Sequence, residues 1–319
     1  MFNDTRTRRD VLRAIGGAAV VASARPLRAQ QQDARPPLCV FSKHLQWADY
    51  TEMADRAAEL GFDGVDLTVR KGGHVEPERA AQDLPRAFEA VRRAGLSMPM
   101  ITAGIVDAAS PHTESILRAA SALGIRNYRW GGFRYDYKRD ITAQLNELKP
   151  RVRALAELNE KHNVGAMYHT HSGLAQVGAS VWDIWGLVKD LDPRLVGVNY
   201  DIGHAVVEGG FGGWVNSAHL VRTHLRGVAL KDFLWRKNTR GEWRPEWLPA
   251  GEGMVDFAGF FRILKDAGFT GPIQVHYEYE GLGGADHGDR KVTIPKEKLL
   301  AIMRKDVEVV RGAMKEAGI

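Results

Sequence analysis

Cysteine is almost missing from this chain of 319 residues: Cys39 stands alone, so no intrachain disulfide can staple the fold. Also missing is a G-x-G-x-x-G turn after the first strand-like run, which argues against a dinucleotide-binding fold. No low-complexity linker divides the sequence, and no apolar run is long enough to span a bilayer. Strong charge of one sign is lacking too, once its distribution is considered. Residues 1–29 hold six Arg against two Asp, a net of +4, while the whole chain is +5. The remainder carries only about +1, which gives no electrostatic footprint for nucleic acid.

The basic start is ordered into zones. Thr7-Arg8-Arg9-Asp10-Val11-Leu12-Arg13 resembles a twin-arginine export signal, an apolar stretch runs from Ala14 to Ala22, and small residues follow at Ala22-Ser23-Ala24. The expectation is a removable signal over 1–29, cleaved near residue 24 or 29. A periplasmic or otherwise exported protein would result, delivered folded by the twin-arginine translocase and without stable membrane insertion after processing.

The rest of the chain, over 37–316, repeats one beat. Helix-like stretches end near Gly or Asn, which accept left-handed dihedrals cheaply, and short apolar, often β-branched runs follow. Eight such runs are centred near residues 40, 66, 100, 128, 166, 198, 229 and 275. Their spacing leaves room for one helix each, and the expected fold is a single (β/α)8 TIM barrel, α/β in class.

In such a barrel chemistry belongs at the carboxyl ends of the strands. Seven of the eleven histidines lie at or just past a predicted strand end: His44, His74, His169, His171, His204, His276 and His287. Strand five ends in YHTHSG, strand six in NYDIGH, strand seven in ALKD and strand eight in VHYEYE. These place His169 and His171, Asp201 and His204, Lys231 and Asp232, and His276, Glu278 and Glu280 around one mouth. Imidazoles and carboxylates converging there suit a divalent cation such as Mn²⁺, Zn²⁺, Co²⁺ or Mg²⁺. The structural alternative is a salt-bridge network that closes the barrel.

At these residues the chain resembles the xylose isomerase-like barrel family of sugar isomerases, ketose 3-epimerases, inosose dehydratases and relatives. The more specific elements are Asp201-x-Gly203-His204, Lys231-Asp232 and Gly251-x-Gly253-Met-Val-Asp256-Phe257. The last also reads simply as glycines followed by an N-cap aspartate. The resemblance implies a metal ligand at Asp201 and a substrate contact at His204. It also exposes departures: His169 stands where the epimerases carry a metal-binding glutamate, and Ala229 where a histidine often precedes Lys-Asp. The strand-eight ligand falls on His276 or Glu278. The implied metal set is His169, Asp201, His276 and Glu278, with His171 in reserve.

Trp47, Trp130, Trp235, Trp243 and Trp247 follow the predicted strands one, four and seven, and aromatic faces pack on the C–H faces of sugars. Trp130, Trp235, Trp243 and Trp247, with His204 and His171, are the candidate substrate contacts for a carbohydrate or glycoside. The expected activity is metal-dependent isomerisation or epimerisation of a sugar or keto-sugar by proton abstraction α to a carbonyl, with His169, Lys231 or Glu278 as base. The alternative is β-elimination from a 3-keto-glycoside. A non-catalytic periplasmic sugar-binding protein would need the tryptophans but not the His/Asp/Glu ring. An apurinic endonuclease of the same family is opposed by the near-neutral charge.

Overall fold

The computed structural model describes residues 35–319. The expected export signal over 1–29 lies outside the described residues. Eight parallel strands close into a barrel: β1 (Leu38–Phe41), β2 (Gly64–Val69), β3 (Ser97–Ala103), β4 (Asn127–Trp130), β5 (Gly165–His169), β6 (Val196–Asp201), β7 (Leu225–Leu230) and, last in the chain, β10 (Ile273–Val275), which pairs with both β7 and β1. Each predicted run is a barrel strand. Between β7 and β10 the chain adds an antiparallel hairpin, β8 (Asp232–Lys237) and β9 (Trp243–Leu248), which the eight strand-like runs do not include.

Helices α1 (Tyr50–Glu59), α2 (Ala80–Arg93), α3 (Thr113–Ala122), α4 (Ile141–His162), α5 (Val181–Val188), α6 (Ile202–Val221), α7 (Phe257–Asp266) and α8 (Lys296–Ala317) surround the barrel. Several begin on an aspartate whose carboxylate accepts a first-turn N–H: Asp49 for α1, Asp140 for α4, Asp201 for α6 and Asp256 for α7. Among the described residues no helix is long and apolar enough to cross a membrane.

Strand alternation sorts the side chains into two layers. Val40, Leu67, Ile101, Tyr128, Ala166, Val198, Val228 and Ile273 join the apolar core. The opposite set fills the lumen: Phe41 on β1, Asp66 and Thr68 on β2, Thr102 on β3, Arg129 on β4, Met167 and His169 on β5, Asn199 and Asp201 on β6, and Gln274 on β10. Lys231 and His276 continue that set just beyond β7 and β10. The lumen therefore turns polar toward the carboxyl ends of the strands.

Candidate metal centre

Asp201 is the last residue of β6 and the N-cap of α6, and it is fully buried. Its backbone N–H donates to Thr170 Oγ1 at 2.9 Å, and its Oδ1 accepts the His204 N–H at 3.1 Å. One carboxylate oxygen is thus spent on the helix start. Gly203 allows this tight turn, because a Cβ there would sit 2.6 Å from Lys231 Cγ and 2.7 Å from Lys231 O.

The other oxygen, Oδ2, makes no hydrogen bond although it is buried. Around it lie Lys231 Nζ at 3.3 Å, His169 Nε2 at 3.5 Å, His276 Nδ1 at 3.9 Å and His204 Nε2 at 4.0 Å. His169 Nε2 and both His276 ring nitrogens are likewise buried without a hydrogen bond. His169, Asp201 and His276 each offer a ligand atom within 4.8 Å of the others. Buried polar atoms are normally bonded, so several orphans facing one another mark a place that a further group fills.

The electrostatics agree. Burial first, then the charges of Arg129, His171, His276 and Lys231, hold His169 well below the ordinary imidazole value. Burial likewise holds His204 and His276 well below it. Neutral imidazoles cannot pair with Asp201 as ions, but they present lone pairs to a cation. Burial pushes Asp201 up to about 6, against the pull of Lys231. Three N/O donors facing one another match the protein ligand count of a catalytic divalent-metal site. A bound cation would add to the positive charge that Lys231 already places beside the buried carboxylate.

The residues named from sequence separate here. Glu278 was expected as a ligand, but its Oε2 accepts from Lys231 at 2.6 Å and its Oε1 from Lys43 at 2.9 Å. Burial alone would raise Glu278, but Lys231, His276 and Lys43 together hold it well below the carboxylate range. It is not among the grouped donors, because both of its oxygens are taken by lysines. Glu280 is exposed. His171 lies beside His169, ring centroids 4.5 Å apart, but its Nε2 is 3.3 Å from an Arg129 guanidinium nitrogen. His204 contacts Ser172 Oγ through Nδ1 at 2.7 Å and packs on Trp247.

Trp130 is corrected from substrate contact to core: it is buried, and its indole N–H donates to the Val106 carbonyl at 2.6 Å. Trp247 lies over Lys231, with Nζ 4.6 Å from the ring centroid. Trp235 and Trp243, on β8 and β9, line a cleft of about 810 Å³ together with Ser172, Leu174, Tyr137 and Arg244. Asp232 points away from Lys231 and accepts the N–H groups of Gly251, Gly253 and Val255, so it anchors the Gly-rich loop. His44 is also structural, bonded to Ala285 O and the Tyr277 N–H.

Asn199 was missed. Its amide lies 3.0 Å from His169 Nδ1 and donates to Gln274 Oε1 at 2.8 Å, fixing the His169 ring so that Nε2 faces Asp201. The signal was available: Asn199 is two residues before Asp201 and so faces the same lumen.

A family described as xylose isomerase-like TIM barrel matches residues 54–299. Inosose dehydratase from Geobacillus thermodenitrificans (strain NG80-2) is 29% identical over 139 residues, 40% of this chain and 44% of that protein. The chain's match therefore spans under half of that relative's length. D-psicose 3-epimerase from Clostridium cellulolyticum H10, solved with D-tagatose, superposes with a TM-score of 0.64 at 15% identity, covering 87% of this chain and 99% of the other. The apo 3-keto-D-glucoside 4-epimerase of E. coli gives 0.59 at 17% identity over 83% and 94%. At these identities the structural likeness shows the fold alone.

Proposed function

Because the chain belongs to the xylose isomerase-like TIM barrel family, we propose that it is a divalent-metal-dependent enzyme that isomerises or epimerises a sugar or keto-sugar. The observation that carries this reading is the convergence of Asp201 Oδ2, His169 Nε2 and His276, buried and without hydrogen bonds, at the carboxyl end of the barrel. His169, Asp201 and His276 would hold the ion. The ion would supply electrostatic stabilisation for negative charge developing on a substrate oxygen.

The chain's own residues do the rest. Asn199 orients His169, and the start of α6 orients Asp201. Trp247 covers Lys231 and His204 and excludes water from that side. Proton transfer falls to lumen groups outside the metal set. Neutral His204, whose Nε2 faces the centre, stands nearest as the base, and Lys231, paired as a cation with Asp201 and Glu278, stands nearest as a proton donor. Glu278, held ionised between two lysines, is a weak base. Removal of the proton α to a carbonyl gives an enediolate. Return to the other face of that carbon gives the epimer, and return to the adjacent carbon gives the isomer.

A second reading, elimination of the aglycone from a 3-keto-glycoside, draws on the cleft of about 810 Å³. It exceeds what one sugar ring needs, and it borders the centre through Ser172, which contacts His204. Metal analysis of protein purified without chelator, with proton–deuterium exchange by NMR over free sugars and 3-keto-glycosides, tests both. Exchange without release of an aglycone supports isomerisation, and release supports elimination. A protein with neither metal nor exchange, yet binding sugar, would be a binding protein. Export through the twin-arginine translocase is part of the same proposal and draws on residues 7–13. Arg8→Lys with Arg9→Lys should trap the precursor inside the cell, and normal export of the double variant would remove it.

A further inference from the structure

The mouth has a second half, on β2 and β4, that the metal centre does not use. Arg129 faces the lumen from β4, and Arg70 stands just past β2 on the face of Asp66 and Thr68. Their guanidinium carbons lie 5.7 Å and 5.5 Å from the centroid of one ring, Phe41. That ring stacks on His276 with centroids 4.7 Å apart. On its other flank Arg129 lies 3.3 Å from His171 Nε2, and the His171 ring is 4.5 Å from that of His169. Both arginines are thus one ring away from the proposed ligands.

Among the described residues, Arg70 and Arg129 form no close ion pair; Asp66 and Glu278 act on them only at longer range, whereas Lys43 and Lys231 share Glu278 directly. The polar mouth holds four cations, Arg70, Arg129, Lys43 and Lys231, against three carboxylates, Asp66, Asp201 and Glu278. Asp66 contributes little to the balance: the Thr102 hydroxyl lies 2.9 and 2.8 Å from its two oxygens, and burial pushes the carboxyl up to about 7. Burial, followed by the nearby Arg70, brings Arg129 down to about 10. Two adjacent, partly buried guanidinium groups without a contacting counter-ion are unfavourable unless an anion joins them. A neutral hydroxyl would not supply that charge. The planar fork of a guanidinium matches a carboxylate in two parallel hydrogen bonds.

Resting on the functional reading above, we infer that the substrate carries a carboxylate, as a sugar acid does, and that Arg70 and Arg129 hold this group while the reacting carbons lie toward His169, Asp201 and His276.

The test uses full-length protein purified without chelator, with D-glucuronate, D-glucose and D-glucose 6-phosphate as calorimetric probes. The first two differ chiefly in the carboxylate. D-Glucuronate should bind at least ~10-fold more tightly than D-glucose, the scale of one charge-assisted contact, and the advantage should shrink with added salt. In Arg70→Met and Arg129→Met the ratio of the two affinities should fall toward one. No advantage in the wild type, silence toward both sugars included, overturns the inference. So does an advantage kept in both variants, which would place the carboxylate on the metal. Tighter binding of the phosphate ester overturns the carboxylate assignment. If Arg129→Met fails to fold, Arg70→Met decides alone, since Arg70 lies outside the strands. Metal and deuterium exchange without charge preference would leave the functional reading standing and remove only this inference. Charge preference without metal or exchange would do the reverse.

Discussion

Two aspartates occupy the barrel lumen, Asp66 on β2 and Asp201 on β6, and both are fully buried. Asp66 has the Thr102 hydroxyl within hydrogen-bond distance of both oxygens, and burial pushes it up to about 7. Asp201 caps a helix with one oxygen and leaves the other without a hydrogen bond, paired only with Lys231 at 3.3 Å and facing three imidazoles. Residue type and burial are the same. What differs is whether every oxygen is satisfied inside the protein, and that difference separates a lumen carboxylate that is complete from one that awaits a partner.

The largest expected effect breaks the comparison directly. Asp201→Asn keeps the shape and removes the charge, so most bound metal should be lost and turnover should fall at least ~100-fold. Asp66→Asn should keep the metal and turnover within about threefold, since Asp66 is not among the grouped metal donors and the effect should stay near that of an ordinary hydrogen-bond change. Equal metal loss in both variants, read by elemental analysis, would mean that the lumen responds as one electrostatic body.

Histidines sharpen the contrast at the next level. His276→Ala should lower metal content and turnover by roughly 10- to 100-fold, the range for weakening a metal site. His44→Ala should leave metal content alone but lower the melting temperature by several degrees, on the order of a lost buried hydrogen bond. Metal loss from His44→Ala would extend the centre to β1.

Asp66 also makes a pH signature. Its folded value of about 7 lies above the ordinary 3.8, so between these pH values the folded protein holds a proton that the unfolded chain has released. Stability from this group is therefore present at low pH and lost as pH rises from about 4 to 7. The melting temperature of Asp66→Asn relative to wild type should climb across that window and level off above it. A constant difference across the titration would show that Asp66 is ionised in the fold.

The smallest structural effect belongs to Trp243. It is 58% exposed on β9, so Trp243→Ala should shift the melting temperature by no more than about 2 °C. If the cleft accepts substrate, affinity should drop several-fold in calorimetry. A large melting shift with unchanged affinity would assign Trp243 to packing.

All eight barrel strands were legible because each is a short apolar run followed by a helix with its own stop signal. Asp201 and the His169 and His276 positions were legible because strand alternation and strand ends are local properties. The β8–β9 hairpin was not, since its turn over Asn238–Glu242 and its half-exposed tryptophans carry no continuous apolar run. Trp130 was misjudged because only its neighbours reveal that the β4 end is buried, with the carbonyl of Val106, in the loop after β3, taking its N–H. Glu278 falls outside the grouped donors because Lys231 and Lys43, distant along the chain, take its two oxygens.

The sequence by itself determined the number and order of the strands, the helix caps, and a mouth rich in histidine and carboxylate, because periodicity and capping depend on neighbours along the chain. Tertiary structure alone decided which of those groups meet. It gave both oxygens of Glu278 to lysines 47 and 235 residues away, set His171 beside Arg129, and left one oxygen of Asp201 without a hydrogen bond. The physical reason is that hydrogen bonding and charge pairing are settled over a few ångströms in space, and barrel closure brings together groups that the chain keeps far apart.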